Sequence, residues 1–185
     1  VDKDKTKRGL IMRRTETRRQ RYEQKTAQTI PVSVCMINFG IDENVALTIR
    51  AAACYGAESV MIIGSVPDRS FLRPRSGTTV DFVEIKQFST PHDFLEFCRK
   101  EEYDIVSAEL CDGATDLFDH RFSFDRKTVI VMGNEYTGVP AEIIHNSRPI
   151  YIRMMGTGYS LNVMQASTAF LNEYSRQHIN YHRSF

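Results

Sequence analysis

Six short runs rich in β-branched and apolar residues punctuate this chain, and segments of helical or loop character separate them. The runs are VSVCMIN (32–38), SVMIIG (59–64), FVEI (82–85), YDIVSAEL (103–110), KTVIVMG (127–133) and PIYIR (149–153). Short runs with so little polar alternation read as strands buried on both faces, the situation of a parallel sheet covered by helices. Between the first two runs, Asp42 to Gly56 reads as a helix. Asp42 is its expected N-cap, Gly56 its C-cap, and Val45, Ile49, Ala52 and Ala53 form an apolar face. Strand, helix, strand makes a βαβ unit with a right-handed crossover. Residues 91–101 predict a second amphipathic helix with Phe94, Phe97 and Cys98 inward. Pro140 opens a short helix, and Ser160 to Arg176 reads as the last one. Residues 65–81 read as a basic loop and 112–125 as loop or short helix. The pattern specifies an α/β domain, a mostly parallel sheet with helices on both faces.

The chain has 185 residues, enough for one such domain without disulfide or metal staples. No apolar run reaches the ~18 residues of a membrane span. The charged start carries no secretory signal pattern. The four cysteines, Cys35, Cys54, Cys98 and Cys111, show neither C-x-x-C nor zinc-finger spacing. Cys35, Cys54 and Cys98 fall in apolar periodic segments and read as small core residues in a reducing, cytoplasmic setting. His178 and His182 stand four apart, but the five histidines are otherwise scattered, so no metal is expected.

Charge divides the chain. Residues 1–28 hold ten basic and four acidic side chains, a charge of +6. The remaining 14 basic and 19 acidic residues leave −5. A basic arm on a mildly acidic body fits contact with a polyanion such as RNA. It equally fits a solvated N-terminal segment, or a helix anchored on the body by Leu10, Ile11, Met12 and Tyr22. On a helix, Arg14, Arg18 and Arg21 share a face, with Arg13 beside them. The expected organisation is a basic N-terminal extension (1–30), one α/β domain (31–177) and a C-terminal tail (178–185).

In open α/β sheets ligands bind beyond the carboxyl ends of the strands. Three strand-to-loop junctions carry unusual residues there: INFGIDENVALTIR (37–50), VMGNEYTGVP (131–140) and IRMMGTGYSLN (152–162). Gly133, Gly138, Gly156 and Gly158 allow close approach of backbone to a ligand or a positive φ. Asn134, Glu135, Tyr159, Ser160 and Asn162 add polar groups in the same turns. Tight turns, with Ser160 capping the last helix, are the other reading. A dinucleotide fingerprint is incomplete, since G-T-G-Y-S-L lacks the third glycine, and no phosphate-binding G-K-[ST] occurs.

The three junctions together resemble, in order and spacing, the three motifs of SpoU-type (TrmH-like) methyltransferases of the SPOUT superfamily. The first is Asn44 with Arg50 in NVALTIRAAACYG. The second is the strand ending in Gly133-Asn134-Glu135-Tyr136-Thr137-Gly138. The third is Ile152, a glycine-bearing turn, then Ser160-Leu161-Asn162. Arg75-Ser76-Gly77 is similar to a further family element. The likeness spans residues 31–175. It implies a C-terminal trefoil knot, S-adenosylmethionine as cofactor, a homodimer whose active site is completed across the interface, and methylation of a ribose 2′-hydroxyl of RNA. Positions matching the cofactor site are Met132, Gly133, Ile152, Met155, Ser160 and Leu161, with Glu109 after the preceding strand. Asn44, Arg50, Glu135, Ser160 and Asn162 match the catalytic set, with Asn44 expected to hold Arg50 or the ribose. Arg13, Arg14, Arg18, Arg21, Arg73 and Arg75 are the expected RNA contacts. The sequence departs from the family at Ala46 or Leu47, at Tyr136 where glycine is frequent, and at Met164 and Gln165. With about thirty residues before the first strand, an extra RNA-binding domain is not expected there, which favours tRNA over rRNA. Two rival readings are a SPOUT-like RNA-binding protein without catalysis and a different α/β nucleotide-binding enzyme.

Overall fold

The computed structural model describes residues 28–183. The arm residues Arg13, Arg14, Arg18 and Arg21 lie outside them. The strands are β1 (Ile30–Ile37), β2 (Ala57–Ile63), β3 (Glu84–Phe88), β4 (Asp104–Ala108), β5 (Thr115–Asp116), β6 (Thr128–Met132) and β7 (Arg148–Tyr151). The helices are α1 (Asp42–Tyr55), α2 (Arg69–Arg75), α3 (Pro91–Lys100), α4 (Ala141–Ile144) and α5 (Val163–Arg183). The strands form a single sheet in the order β3-β2-β1-β6-β4-β7-β5. Every pairing is parallel.

Helices cover both faces, as alternate residues of the central strands require. On one face Val32, Val34, Met36, Val60 and Ile130 pack beneath α1 and α5, against Val45, Ile49, Phe170, Leu171 and Tyr174. On the other, Cys35, Ile37, Met61, Ile63 and Val131 pack against Phe94, Leu95 and Cys98 of α3 and Ile143 of α4. Burial drives the Cys35 thiol well above its ordinary pKa and Cys98 up to about 12, so both act as small apolar groups rather than nucleophiles. Cys54 departs from the expectation and is exposed, because it lies on the solvent side of α1.

Several boundaries shift, each for a local reason. Asp42 is the first helical residue rather than the cap; Ile41 stands at the N-cap with no side-chain bond. Asp42 and Glu43 instead place negative charge on the helix's positive end. Gly56 ends α1 at φ 74°, and a Cβ there would sit 2.3 Å from the Gln28 carbonyl oxygen. The region read as a basic loop contains α2 and a 3₁₀ turn at Thr79–Asp81. Arg69 and Arg73 hold that turn through Asp81. β3 begins two residues later than the FVEI run. The boundaries placed at 30/31 and 177/178 fall inside β1 and α5, the latter running on to Arg183.

The candidate active site

Four strands end at one cavity of about 540 Å³. Ile41 comes from the loop after β1, and Ala108 and Glu109 from the end of β4. Met132, Gly133 and Glu135 follow β6. Ile150, Ile152 and the 154–162 loop follow β7, and Ala166 and Phe170 of α5 close the floor. The strand order explains the place: β6, β4 and β7 are neighbours in the sheet, and the cavity opens beyond their carboxyl ends.

A directed chain of hydrogen bonds ties the three junctions together. Asn162 Oδ1 accepts the Met164 N–H (2.9 Å). Asn162 Nδ2 donates to Asn44 Oδ1 (3.1 Å), and Asn44 Nδ2 donates to Glu135 Oε1 (2.7 Å). Glu135 Oε2 accepts the Gly40 N–H (2.8 Å). Because a backbone N–H stands at each end, no amide in the chain can flip without setting donor against donor. Both oxygens of Glu135 must therefore accept. Burial pushes the Glu135 carboxyl up, but the bonds from Asn44 and Gly40 outweigh it and hold it below the ordinary carboxylate range. The cavity thus carries a fixed negative charge.

This geometry reassigns two roles. Asn162, not Ser160, caps α5, and Gln165 completes a capping box by accepting the Asn162 N–H (3.2 Å). Asn44 is nearly buried, with both amide atoms engaged by Glu135 and Asn162, so it does not hold Arg50. Gly40 was not singled out in the sequence, and Gln165 was noted only as a departure from the family. The glycine just past a strand and the residue three beyond Asn162 were the available signals.

The β6 loop is shaped by close backbone contact. Asn134 and Gly138 exchange backbone hydrogen bonds (3.1 and 2.9 Å). Glu109 Oε2 accepts the Val139 N–H (2.8 Å), so Glu109 buttresses this loop from β4. Asn134 Oδ1 accepts the N–H groups of Tyr136 (2.9 Å) and Thr137 (3.2 Å). Ser160 and Leu161 line the cavity from exposed positions. Met155 does not line it; that side chain is 91% exposed, and its neighbour Met154 lines the cavity instead.

Arg50 stands apart. It is exposed on α1, outside the cavity lining, and its guanidinium lies 3.8 Å from where a Cβ on Gly77 would be. The Arg75-Ser76-Gly77 turn and Arg50 are thus brought together. Arg75 reaches Glu43 (3.5 Å) and lies over the Phe71 ring, and Arg73 pairs with Asp81. Among the described residues there is no cluster of three or more potential metal-ligating groups, and no helix is long and apolar enough to cross a membrane.

Substituting Glu135 by glutamine should cost stability. One amide N–H would face either the Asn44 amide or the Gly40 N–H, a loss of about 0.5–1.5 kcal/mol at this partly exposed position. Because the folded chain depresses this carboxyl, its contribution is complete above the unfolded pKa and fades as pH falls through the lower folded value. Urea melts across acidic pH should show a stability loss in the wild type that Glu135→Gln lacks. Equal acid slopes for both proteins would contradict the assignment.

A family model described as the SpoU rRNA Methylase family matches residues 31–172. The tRNA (guanosine(18)-2′-O)-methyltransferase of Escherichia coli K12 is 29% identical over 166 residues, covering 89% of this chain and 72% of that protein. The enzyme of the same description from Thermus thermophilus is 26% identical over 171 residues, covering 90% and 86%. Among solved structures, an AdoMet-bound rRNA methyltransferase from Sinorhizobium meliloti superposes with a TM-score of 0.73 at 24% identity. It covers 83% of this chain, which spans only 58% of that protein. A TrmH/SpoU tRNA modifying enzyme of A. aeolicus gives a TM-score of 0.72 at 22% identity, covering 84% and 79%.

Proposed function

The chain belongs to the SpoU rRNA methylase family, and from that premise we propose that it transfers a methyl group from S-adenosylmethionine to a ribose 2′-hydroxyl of RNA, with tRNA as the substrate class. The observation that carries this reading is the junction of all three motifs at one cavity through the Asn162–Asn44–Glu135 chain. An unrelated nucleotide enzyme would not require that chain. The Escherichia coli and Thermus thermophilus relatives act on tRNA by name, which favours tRNA over rRNA.

The cavity suits the cofactor. Its volume is that of a small-molecule site. Ile150, Ala166 and Phe170 offer apolar surface to a purine, and the anionic Glu135 complements a sulfonium. Met132, Gly133, Ile152, Ser160 and Leu161 would hold it. Bound there, the cofactor supplies an electrophilic methyl group. The protein's task is alignment of the hydroxyl and stabilisation of the charge that develops on its oxygen. Glu135, Asn44 and Asn162 are committed to one another, so their role is to fix the loops. Arg50 carries a guanidinium that stays protonated, suited to gripping a phosphate and the developing oxyanion rather than to acting as a base.

Arg50 lies outside the lining of its own chain's cavity, which fits a homodimer in which each protomer lends this residue to its partner; sedimentation showing a monomer at micromolar concentration would oppose that. A trefoil knot fits the way segment 117–125 is bound to α5. The Phe122 N–H donates to Gln177 Oε1 (3.1 Å) and Gln177 Nε2 to the His120 carbonyl (2.8 Å). A crystal structure tracing 115–170 without a threaded loop would oppose it. The basic segment 1–28 serves as an RNA-gripping arm in the cytoplasm. Its deletion should weaken RNA binding and flatten the salt dependence by roughly 0.7 for each single-strand phosphate that the arm neutralises. An unchanged salt slope would show that the arm does not grip RNA. Titration calorimetry with S-adenosylmethionine tests the reading at its root: binding that Gly133 and Leu161 variants weaken supports it, and no binding sinks it.

A further inference from the structure

We propose that Tyr136 is a stacking platform for a nucleobase of the RNA, that of the nucleotide being methylated; the inference rests on the proposed ribose methylation. The ring is 85% exposed, yet it stands on the rim of the cavity. An aromatic side chain left open beside a site is usually either apolar surface awaiting a protein partner or a flat contact for a ligand. The surroundings decide between them. Gly40, Glu135 and Thr137, which flank the ring in space or sequence, are polar or bare, and the exposed apolar side chains of the same cavity, Ile41, Leu110, Met154 and Leu161, stand on other loops.

The loop that carries the ring is held in place. The backbone N–H groups of Tyr136 and Thr137 donate to Asn134 Oδ1, Asn134 and Gly138 close the loop, and the Tyr136 ring edge lies 3.5 Å from where a Gly40 Cβ would stand. A platform fixed before binding loses little freedom when a base stacks on it. Tyr159, fully exposed on the same rim, lacks this: its loop carries Gly156 and Gly158 with nothing within 4 Å of either added Cβ. The chemistry asks for such a surface, because a 2′-hydroxyl reaches a recessed cavity when its nucleotide is drawn out of the RNA stack. An unstacked base is recognised on aromatic faces.

The test uses unmodified bulk tRNA as the probe. Tyr136→Ala should raise KM for tRNA roughly 5- to 150-fold, the range of a missing base–aromatic stack, with the loss in KM rather than kcat. Tyr136→Phe should restore KM. The chain contains no tryptophan, so Tyr136→Trp carries the sole indole, which red-edge excitation reads apart from the tyrosines, and tRNA should quench it. A wild-type KM in Tyr136→Ala, or emission that tRNA leaves unchanged, overturns the proposal. If the wild type binds cofactor but methylates no RNA, the proposed reaction fails, and the quenching alone decides the platform.

Discussion

Replacing Arg50 with alanine should abolish methyl transfer, lowering kcat by at least about 100-fold, the scale seen when one charge-stabilising group is removed. Cofactor affinity should stay within about twofold, because Arg50 lies outside the cavity its own chain builds. Single-turnover transfer and calorimetry on the same preparation read the two quantities separately. Mixing this variant with a Gly133→Ala chain should recover activity if each protomer lends Arg50 to the other, since one hybrid site would then be intact. Loss of cofactor affinity as steep as the loss of activity would mean that Arg50 supports the fold of the site instead.

Gly133→Ala should have the second large effect. A Cβ there would stand 2.3 Å from the Gly138 carbonyl carbon, 2.5 Å from Val139 N and 2.7 Å from Gly138 O. All three are backbone atoms, so no side-chain rotation relieves the clash. The loop has to open, which separates Asn134 from Gly138 and draws the Val139 N–H off Glu109. Overpacking of this kind costs about 1–3 kcal/mol of stability, and cofactor affinity should fall by more than about tenfold. Gly156→Ala is the control: nothing lies within 4 Å of its Cβ, so thermal melts should match the wild type. Equal behaviour of the two variants would show that the β6 loop is not shaped as described.

The sheet was legible because its strands are covered on both faces. Val129, Ile130 and Val131 are all fully buried, and their run needs no partner information to be recognised. Strand order was not legible. β7 takes its place between β4 and β5 through pairings such as Ser107 with Pro149 and Asp116 with Tyr151, which no local pattern encodes. Within the site, Glu135 and Asn162 stood out as polar groups in glycine-bearing turns, and Asn44 only through the family resemblance. Their roles did not, because Asn44 joins Asn162 across 118 residues and only the folded chain shows that both its amide atoms are taken. Ser160 looked like the cap because serine suits that position. Asn162 won it because Gln165 stands three residues on to close the capping box.

Methylation of a ribose oxygen is tested most directly by incubating the full chain with unmodified tRNA and methyl-labelled S-adenosylmethionine, then digesting to nucleosides for mass spectrometry. The expected product is a 2′-O-methylnucleoside whose label travels with the sugar fragment and disappears with Arg50→Ala. Label that travels with the base, or no label in tRNA or rRNA from a protein that binds the cofactor, would contradict the proposed reaction.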